Sequence, residues 1–399
     1  MIIGIVGKPS SGKSTFFKAA TLAEVEIANY PFTTIKPNHA VGFVKVECAE
    51  KFFNVKCNAR LGYCIRGNRF VPVDMIDVAG LIPGAHKGEG LGLSFLNDLN
   101  QADCLIHVID ISGSVNQKGE PVEPLSYDPL NDVKFLEEEL DFWYLDILKK
   151  GWDKLARQIV QEKSNVAKVL AKQLSGIGPD EKMLEEEIAR LHLNPEQPVS
   201  WTEQDLLKLA AVLRKRTKPM LIAANKADVP GSEQNIERLR KQFPEYTIIP
   251  VSSESELALK EAAKHGLIDY IPGEQDFTIL HPEKLTDKQT QALEFIKNSV
   301  LQKYTSTGVQ EVLNTAVFEL LKYIAVFPGG IHKLADSKGN ILPDCFLLKH
   351  NSTALDFAYK VHTDIGDNFV KAMDVRRRMP VGREHVLKHL DVVEILTSK

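Results

Sequence analysis

The chain has 399 residues, 44% hydrophobic and 26% charged, with a net charge of −4. That length and composition fit two or three globular domains. A mildly acidic chain is not a wholesale nucleic-acid binder, so any RNA contact has to come from a local patch. No apolar run is long enough to span a membrane.

The apolar start "MIIGIV" reads as a short buried strand. It runs into a glycine loop rather than a cleavage site, so a cytosolic address is expected. The loop "GKPSSGKST", Gly7 to Thr15, fits the pattern G-x-x-x-x-G-K-[ST], and a helix from about Ser14 to Leu22 follows. Glycines let the backbone wrap a phosphate so that successive N–H groups point inward. Candidate contacts are therefore Gly7, Lys8, Pro9, Ser10, Ser11, Gly12, Lys13, Ser14 and Thr15. Lys13 is expected to reach the β and γ phosphates and Ser14 to ligate Mg²⁺. The positive end of the helix adds to the anion site.

"VGFVKVE" (Val41 to Glu47) alternates as a strand does. Cys48, Cys57 and Cys64 come next. Their spacing is not the C-x2-C pairing of zinc sites, so packed or free thiols are expected rather than a metal. Five cysteines in all, an odd number, also argue against a disulfide framework.

"FVPVDMIDVAG" (Phe70 to Gly80) and "ADCLIHVIDIS" (Ala102 to Ser112) are two further strands. The first ends in D-x-x-G, which places Asp77 to hold Mg²⁺ through a water and the Gly80 N–H to touch a γ-phosphate. About a hundred residues then separate this strand pair from the next, where one crossover helix needs only about a dozen. From Asp128 onward they read as charged amphipathic helices, broken at "SGIGP" into the two arms of an inserted helical hairpin. A docking arm is weighed there against a solvated spacer.

"KPMLIAANKAD" (Lys218 to Asp228) and "YTIIPVSS" (Tyr246 to Ser253) resume the sheet. Asn225-Lys226-Ala227-Asp228 closes the first. An aspartate there accepts from guanine N1–H and the 2-amino group, a donor pair adenine lacks. Asn225 is placed to brace the loops, the Lys226 stem to cover the base, and Ser252-Ser253-Glu254 to give backbone contact to the base. The motifs fall in this order at strand ends, where ligands of such sheets bind. GTP is therefore expected over ATP. Helices from about Ser255 to Gly266, from Thr286 to Lys303 and over "TGVQEVLNTAVFELL" lead to a small α+β module of roughly 80 residues, whose strands and helix alternate to "DVVEIL".

With these motifs in order, the chain resembles the Obg-like GTPases, in the YchF branch. "NYPFTTIKPN" (Asn29 to Asn38) is similar to that family's switch I, "DVAGLIPGAHKGEGLG" (Asp77 to Gly92) to its switch II, and "FLLKHNSTALDFAYKVHTDIGDNFVKA" (Phe346 to Ala372) to its ubiquitin-like TGS domain. The resemblance implies an α/β fold: a P-loop GTPase with a mainly parallel sheet, an inserted helical hairpin and a C-terminal β-grasp module. The expected divisions are 1–114 with 218–275 for the G domain, 115–217 for the insertion, 276–320 for connecting helices and 321–399 for the TGS domain.

The resemblance also implies GTP as substrate, Mg²⁺ held by Ser14, Thr34 and Asp77, and catalysis resting on Lys13, Gly80 and Thr34. Thr33 is a second candidate for the switch I hydroxyl. Leu81 stands where Ras-like enzymes orient water with glutamine, so slow unassisted turnover is expected. His86 is weighed as a substitute and is more simply a bystander. Ser10 stands where many relatives have an asparagine linked to potassium stimulation, which puts that stimulation in question. Well-known YchF proteins carry N-x-x-E and tend to accept ATP, whereas this chain keeps Asp228.

A ribosome- or RNA-binding module that uses nucleotide only as a conformational ligand is the alternative from another class. Its phosphate-binding candidates are three basic clusters: Arg376, Arg377, Arg378, Arg383, Lys388 and His389; Arg60, Arg66 and Arg69; and Arg214, Lys215, Arg216 and Lys218.

Overall fold

A computed structural model describes residues 1–22, 38–78 and 98–398. It divides into two compact units, Met1–Phe17 with Met75–Ser253 and Lys18–Asp74 with Glu254–Lys399.

The first unit holds β1 (Ile2–Val6) and the start of α1 (Lys13–Thr21). Its sheet continues through β5 (Cys104–Asp110), β6 (Met220–Asn225) and β7 (Ile248–Val251), all parallel and in the order β1-β5-β6-β7. Every residue of β5 and β6 is buried. A parallel sheet covered on both faces needs such near-continuous apolar runs, which is why these strands were readable. Helix α8 (Ser232–Gln242) crosses from β6 to β7.

Five helices occupy the long insertion: α3 (Leu130–Lys149), α4 (Trp152–Glu162), α5 (Val166–Gln173), α6 (Glu181–Arg190) and α7 (Glu203–Thr217). The two expected arms are present where α3 packs along α7. They are not continuous, however. Gly151 at φ 75 opens α4 and Lys163 at φ 50 ends it, left-handed positions that a helix cannot run through. "SGIGP" forms a tight turn, after which Asp180 caps α6 by accepting from the Met183 N–H at 2.7 Å. A Thr202/Asp205 capping box starts α7, and Trp152 stacks on Trp201 at 5.3 Å.

One apolar core joins these helices to the sheet, with Val6, Leu105 and Met220 in the same cluster as Leu140, Leu170 and Leu209. The insertion therefore packs into the body of this unit and is not a free-standing spacer. Its single fully buried cation, Arg214, is held by Asp141 at 2.8 Å and Glu137 at 3.1 Å, with the Tyr246 hydroxyl donating to Glu137 at 2.5 Å.

The second unit begins with β2 (His39–Glu47), the single-turn α2 (Glu50–Phe53) and the antiparallel hairpin β3 (Tyr63–Ile65) with β4 (Asn68–Asp77), whose last three residues belong to the first unit. Helix α9 (Ser253–Lys264), the short strands β8 (Ile268–Asp269) and β9 (Thr278–Ile279), α10 (Asp287–Ile296), α11 (Gln302–Tyr304) and α12 (Val309–Asn314) follow. The expected long helices are interrupted by π-turns at Lys297–Leu301 and Thr315–Leu320.

Strands β10 (Tyr323–Pro328), β11 (Phe346–Lys349), β12 (Phe369–Asp374), β13 (Met379–Val381) and β14 (Val392–Thr397) make a mixed sheet in the order β11-β10-β14-β12-β13. Helix α13 (Ala354–Val361) lays fully buried Phe357 against it, and the short α14 (Thr363–Asp367) follows. Only β10 and β14 pair in parallel; the outer pairings are antiparallel, a grasp of a sheet around one helix.

Candidate nucleotide site

The glycine loop joins β1 to α1, so the strand delivers the chain to the start of the helix and its free N–H groups. Ser10 takes the left-handed conformation, φ 62, and Gly12 lies at φ 88. A Cβ at Gly12 would meet the Asn225 Nδ2 at 2.1 Å, so only glycine fits. The Asn225 amide explains that closeness. Its Nδ2 donates to the Ser11 carbonyl at 3.0 Å, while its Oδ1 accepts from the Ser253 N–H at 3.1 Å and hydroxyl at 2.8 Å. One buried side chain at the end of β6 thus ties the phosphate loop to the Ser252-Ser253 loop after β7. Removing it by Asn225→Ala leaves buried partners unpaired. Stability should fall by about 1–3 kcal/mol in urea titrations, and nucleotide affinity should fall with it.

Lys13 forms an ion pair with Asp77 Oδ1, and the Ser14 hydroxyl stands 3.5 Å from Asp77 Oδ2. The residues expected to hold phosphate and Mg²⁺ therefore converge on one carboxylate at the end of β4. A hydroxyl beside a carboxylate is an oxygen donor pair of the kind Mg²⁺ takes. Asp228 is half-buried and its carboxylate makes no hydrogen bond or ion pair among the described residues. Glu254 is exposed on the first turn of α9. The switch residues Thr33, Thr34, Gly80, Leu81 and His86 lie outside the described residues.

Several side chains have other partners than the sequence suggested. Lys8 does not turn toward the loop's inner face. Its amine donates to the Val115 carbonyl at 2.7 Å, pairs with Asp132 at 2.9 Å and sits 3.9 Å over the Tyr127 ring. Burial lowers the Lys8 amine below its ordinary range and raises Asp132, each partner's charge pulling the other back. Any phosphate contact of Lys8 thus falls to its backbone N–H. The Ser10 hydroxyl donates to the Gly119 carbonyl at 2.9 Å. Ser11 Oγ is buried with no partner among the described residues. Pro9 packs so close to Gly119 that a Cβ there would come within 2.7 Å of it. The turn around Gly119, assigned from sequence to the insertion, covers the outside of the phosphate loop.

Asp110 was missed as a site residue. It is fully buried, accepts from Ser112 and Ser114 hydroxyls at 2.5 and 2.8 Å, and receives the Lys226 amine at 3.0 Å. That fixes the lysine of Asn-Lys-Ala-Asp at φ 62 and so the turn that presents Asp228. The signal was available in "VIDIS", an aspartate closing a strand that is apolar but for His107.

His107, under Lys8 on β5, is also buried, and its pKa is pushed down to about 3, first by burial and then by the Lys8 cation. The unfolded chain takes up that proton near 6.5. Stability is therefore complete above that value and falls as pH drops through it, by up to about 1.4 kcal/mol per pH unit. His107→Gln should remove that one-proton slope from urea titrations carried out between about pH 7 and about pH 5.

Two basic clusters are corrected. Arg214, Lys215 and Arg216 face Glu137, Asp141, Glu186, Glu187 and Glu245, and Lys218 is buried on the Asn100 and Ala102 carbonyls. Arg60 pairs with Asp344, Arg66 with Asp269 at 2.8 Å, and Arg69 is buried against the Leu342 and Pro343 carbonyls. A run of cations in sequence says nothing of the acids that folding brings to it. In the third cluster, Arg376 lies over the Phe52 ring at 4.9 Å and Arg377 pairs with Asp374, while exposed Arg378, Arg383 and Lys388 have no ion pair among the described residues.

The comparisons with known proteins agree with this architecture. Residues 2–138 match the family "50S ribosome-binding GTPase", 223–329 the "Obg-like GTPase YGR210-like, G4 motif-containing domain", and 336–397 the TGS domain. A GTP-binding protein of Methanocaldococcus jannaschii is 50% identical over 398 residues, covering 100% of this chain and 99% of that protein. The ribosome-binding ATPase YchF of Mycoplasma pneumoniae is 30% identical, covering 67% of this chain and 70% of that protein. The chain belongs to the Obg-like GTPases, in the YchF branch. A solved GTP-binding protein from Pyrococcus horikoshii OT3 is similar to this Obg-like chain throughout, with 39% identity, full coverage of both chains and a TM-score of 0.77. The chain is thus a GTP-binding protein with a P-loop GTPase fold and a TGS domain. No helix among the described residues is long and apolar enough to cross a membrane.

Proposed function

We propose that this protein binds GTP with Mg²⁺ and slowly hydrolyses it to GDP and phosphate, as a switch that acts with ribosomal particles or structured RNA. The observation that carries the reading is the Asn225 brace. It fixes the phosphate loop and the base-side loop in one frame, with the Asp228 carboxylate unpartnered beside it. In this reading Lys13 leaves Asp77 for the β and γ phosphates, and Asp77 turns to the Mg²⁺ shell beside Ser14. Ser14 and Asp77, with Thr34, would hold Mg²⁺, whose charge would offset that of the phosphates. The chain's own part is to position them: the loop amides hold the phosphates, Lys13 stabilises charge that develops on them, and Asp228 selects guanine. Thr34 and the Gly80 N–H complete the proposed site from the two switches.

The ribosome or RNA link has support from the "50S ribosome-binding" family match, from the Mycoplasma YchF name and from the unpaired Arg378, Arg383 and Lys388 on the TGS module. ATP is the second reading, because that YchF relative is named an ATPase. Phosphate release from GTP, measured with and without ribosomal particles, tests the proposal. Slow release that rises with the particles is expected; no release in either case contradicts hydrolysis and leaves a nucleotide-gated binding module.

A further inference from the structure

Folding brings together three cysteines whose spacing in sequence argued against a metal site. Cys48 directly follows β2, Cys57 lies in the loop after α2, and Cys64 is on β3. Glu50, on the first turn of α2, joins them, and the four donor atoms all lie within 4.8 Å of one another. We propose that Cys48, Cys57, Cys64 and Glu50 bind one structural Zn²⁺ ion.

The distances suit that ion. Tetrahedral zinc with Zn–S bonds of about 2.3 Å and a Zn–O bond of about 2.0 Å separates two sulfurs by about 3.8 Å and sulfur from oxygen by about 3.5 Å. The Cys48 and Cys57 sulfurs stand 3.8 Å apart, and the Cys64 sulfur is 3.3 Å from Glu50 Oε1. A disulfide needs a sulfur separation of about 2.05 Å, and an odd thiol would remain. All three are free cysteines. Thiolates exclude Mg²⁺ and Ca²⁺, which take oxygen ligands, and four protein donors of mixed sulfur and oxygen type match a closed zinc site.

The surroundings are built in the same sense. Glu50 Oε2 accepts from the Cys57 N–H at 2.8 Å, which turns Oε1 toward the sulfurs. The Cys48 N–H donates to the Gly67 carbonyl at 2.9 Å, clamping the β3–β4 turn under the cluster. Three thiolates and a carboxylate carry more negative charge than one Zn²⁺ cancels. Arg69, fully buried and directly opposite Cys64 in the β3–β4 ladder, supplies a neighbouring cation. The ion would staple β2, α2 and the β3–β4 hairpin into one corner. The same corner carries the Arg60–Asp344 pair and the Asn58 N–H to Ile341 carbonyl bond at 2.8 Å, so its order bears on the strap before β11.

Elemental analysis of the full-length protein, purified reduced and without chelator, tests this. About one zinc per chain is expected, falling below about a tenth in a Cys57→Ser, Cys64→Ser variant. Because that variant lacks its staple, the unmodified chain gives a second readout that does not depend on its folding. Stripped of metal and titrated with Co²⁺, it should develop the intense sulfur-to-cobalt charge-transfer absorption of a tetrahedral thiolate site, and Zn²⁺ should bleach it. Zinc at background together with no charge-transfer absorption on adding Co²⁺ would overturn the proposal, as would a Cys48–Cys57 disulfide in the freshly isolated protein.

Discussion

Replacing Asp228 by asparagine should weaken GTP binding by about a hundredfold to a thousandfold and make xanthosine triphosphate the better ligand. In the proposed binding mode the carboxylate would accept two charge-assisted hydrogen bonds from guanine, each contributing about 1.5–3 kcal/mol, and an amide presents one acceptor and one donor instead. Its donor faces the guanine 2-amino group, another donor, but matches the 2-oxo group of xanthine. The Asp110–Lys226 anchor is untouched by the change, so the turn keeps its shape and the effect reads base recognition alone. Competition of GTP, ATP and xanthosine triphosphate for a fluorescent guanine nucleotide measures it. An unchanged ratio of GTP to xanthosine triphosphate affinity would show that Asp228 does not read the base.

Lys13→Ala should lower phosphate release from GTP by about a hundredfold or more, the usual cost of removing one group that stabilises developing charge. The substitution also strips Asp77 of its ion-pair partner. Loss of turnover through a disordered Asp77 would also raise the Mg²⁺ concentration needed for half-maximal rate, whereas loss through the phosphates alone leaves that concentration unchanged. Single-turnover rates across a Mg²⁺ series distinguish these. In either case the preference for GTP over ATP should survive, because the base-reading loop is held by Asn225 and not by Lys13.

The residues in these predictions were legible in the sequence because the sheet strands announce themselves. β5 and β6 are wholly buried and apolar but for His107, and each ends in a polar residue whose type carries chemistry, Asp110 and Asn225. The phosphate loop was readable as a local motif for the same reason that it works: its glycines are required by the backbone path and by the approach of Asn225. Tertiary pairing was not readable. Nothing in the sequence near Arg214 points to Glu137 and Asp141 on α3, more than seventy positions away along the chain. Lys8 looked like a phosphate ligand because of its place in the motif, yet Asp132 and Tyr127 of the insertion claim its amine.

The cysteines show the same limit from the other side. Rules for zinc spacing describe knuckles, in which two ligands share one tight turn. Here the ligands come from a strand end, a helix turn, a loop and a hairpin strand, so only the fold brings them within reach. The helical arms broke at Gly151 and Lys163 because left-handed residues, one of them a lysine, interrupt an otherwise continuous amphipathic pattern.

The central claim is that this chain is built to hold guanine nucleotide in the frame braced by Asn225 and read by Asp228. The affinities of GTP and ATP, measured by competition on one nucleotide-free preparation with Mg²⁺, test it most directly. GTP should bind at least about a hundredfold more tightly than ATP, the discrimination expected when that carboxylate loses both of its donors. Equal affinities, or tighter ATP binding, would contradict the account.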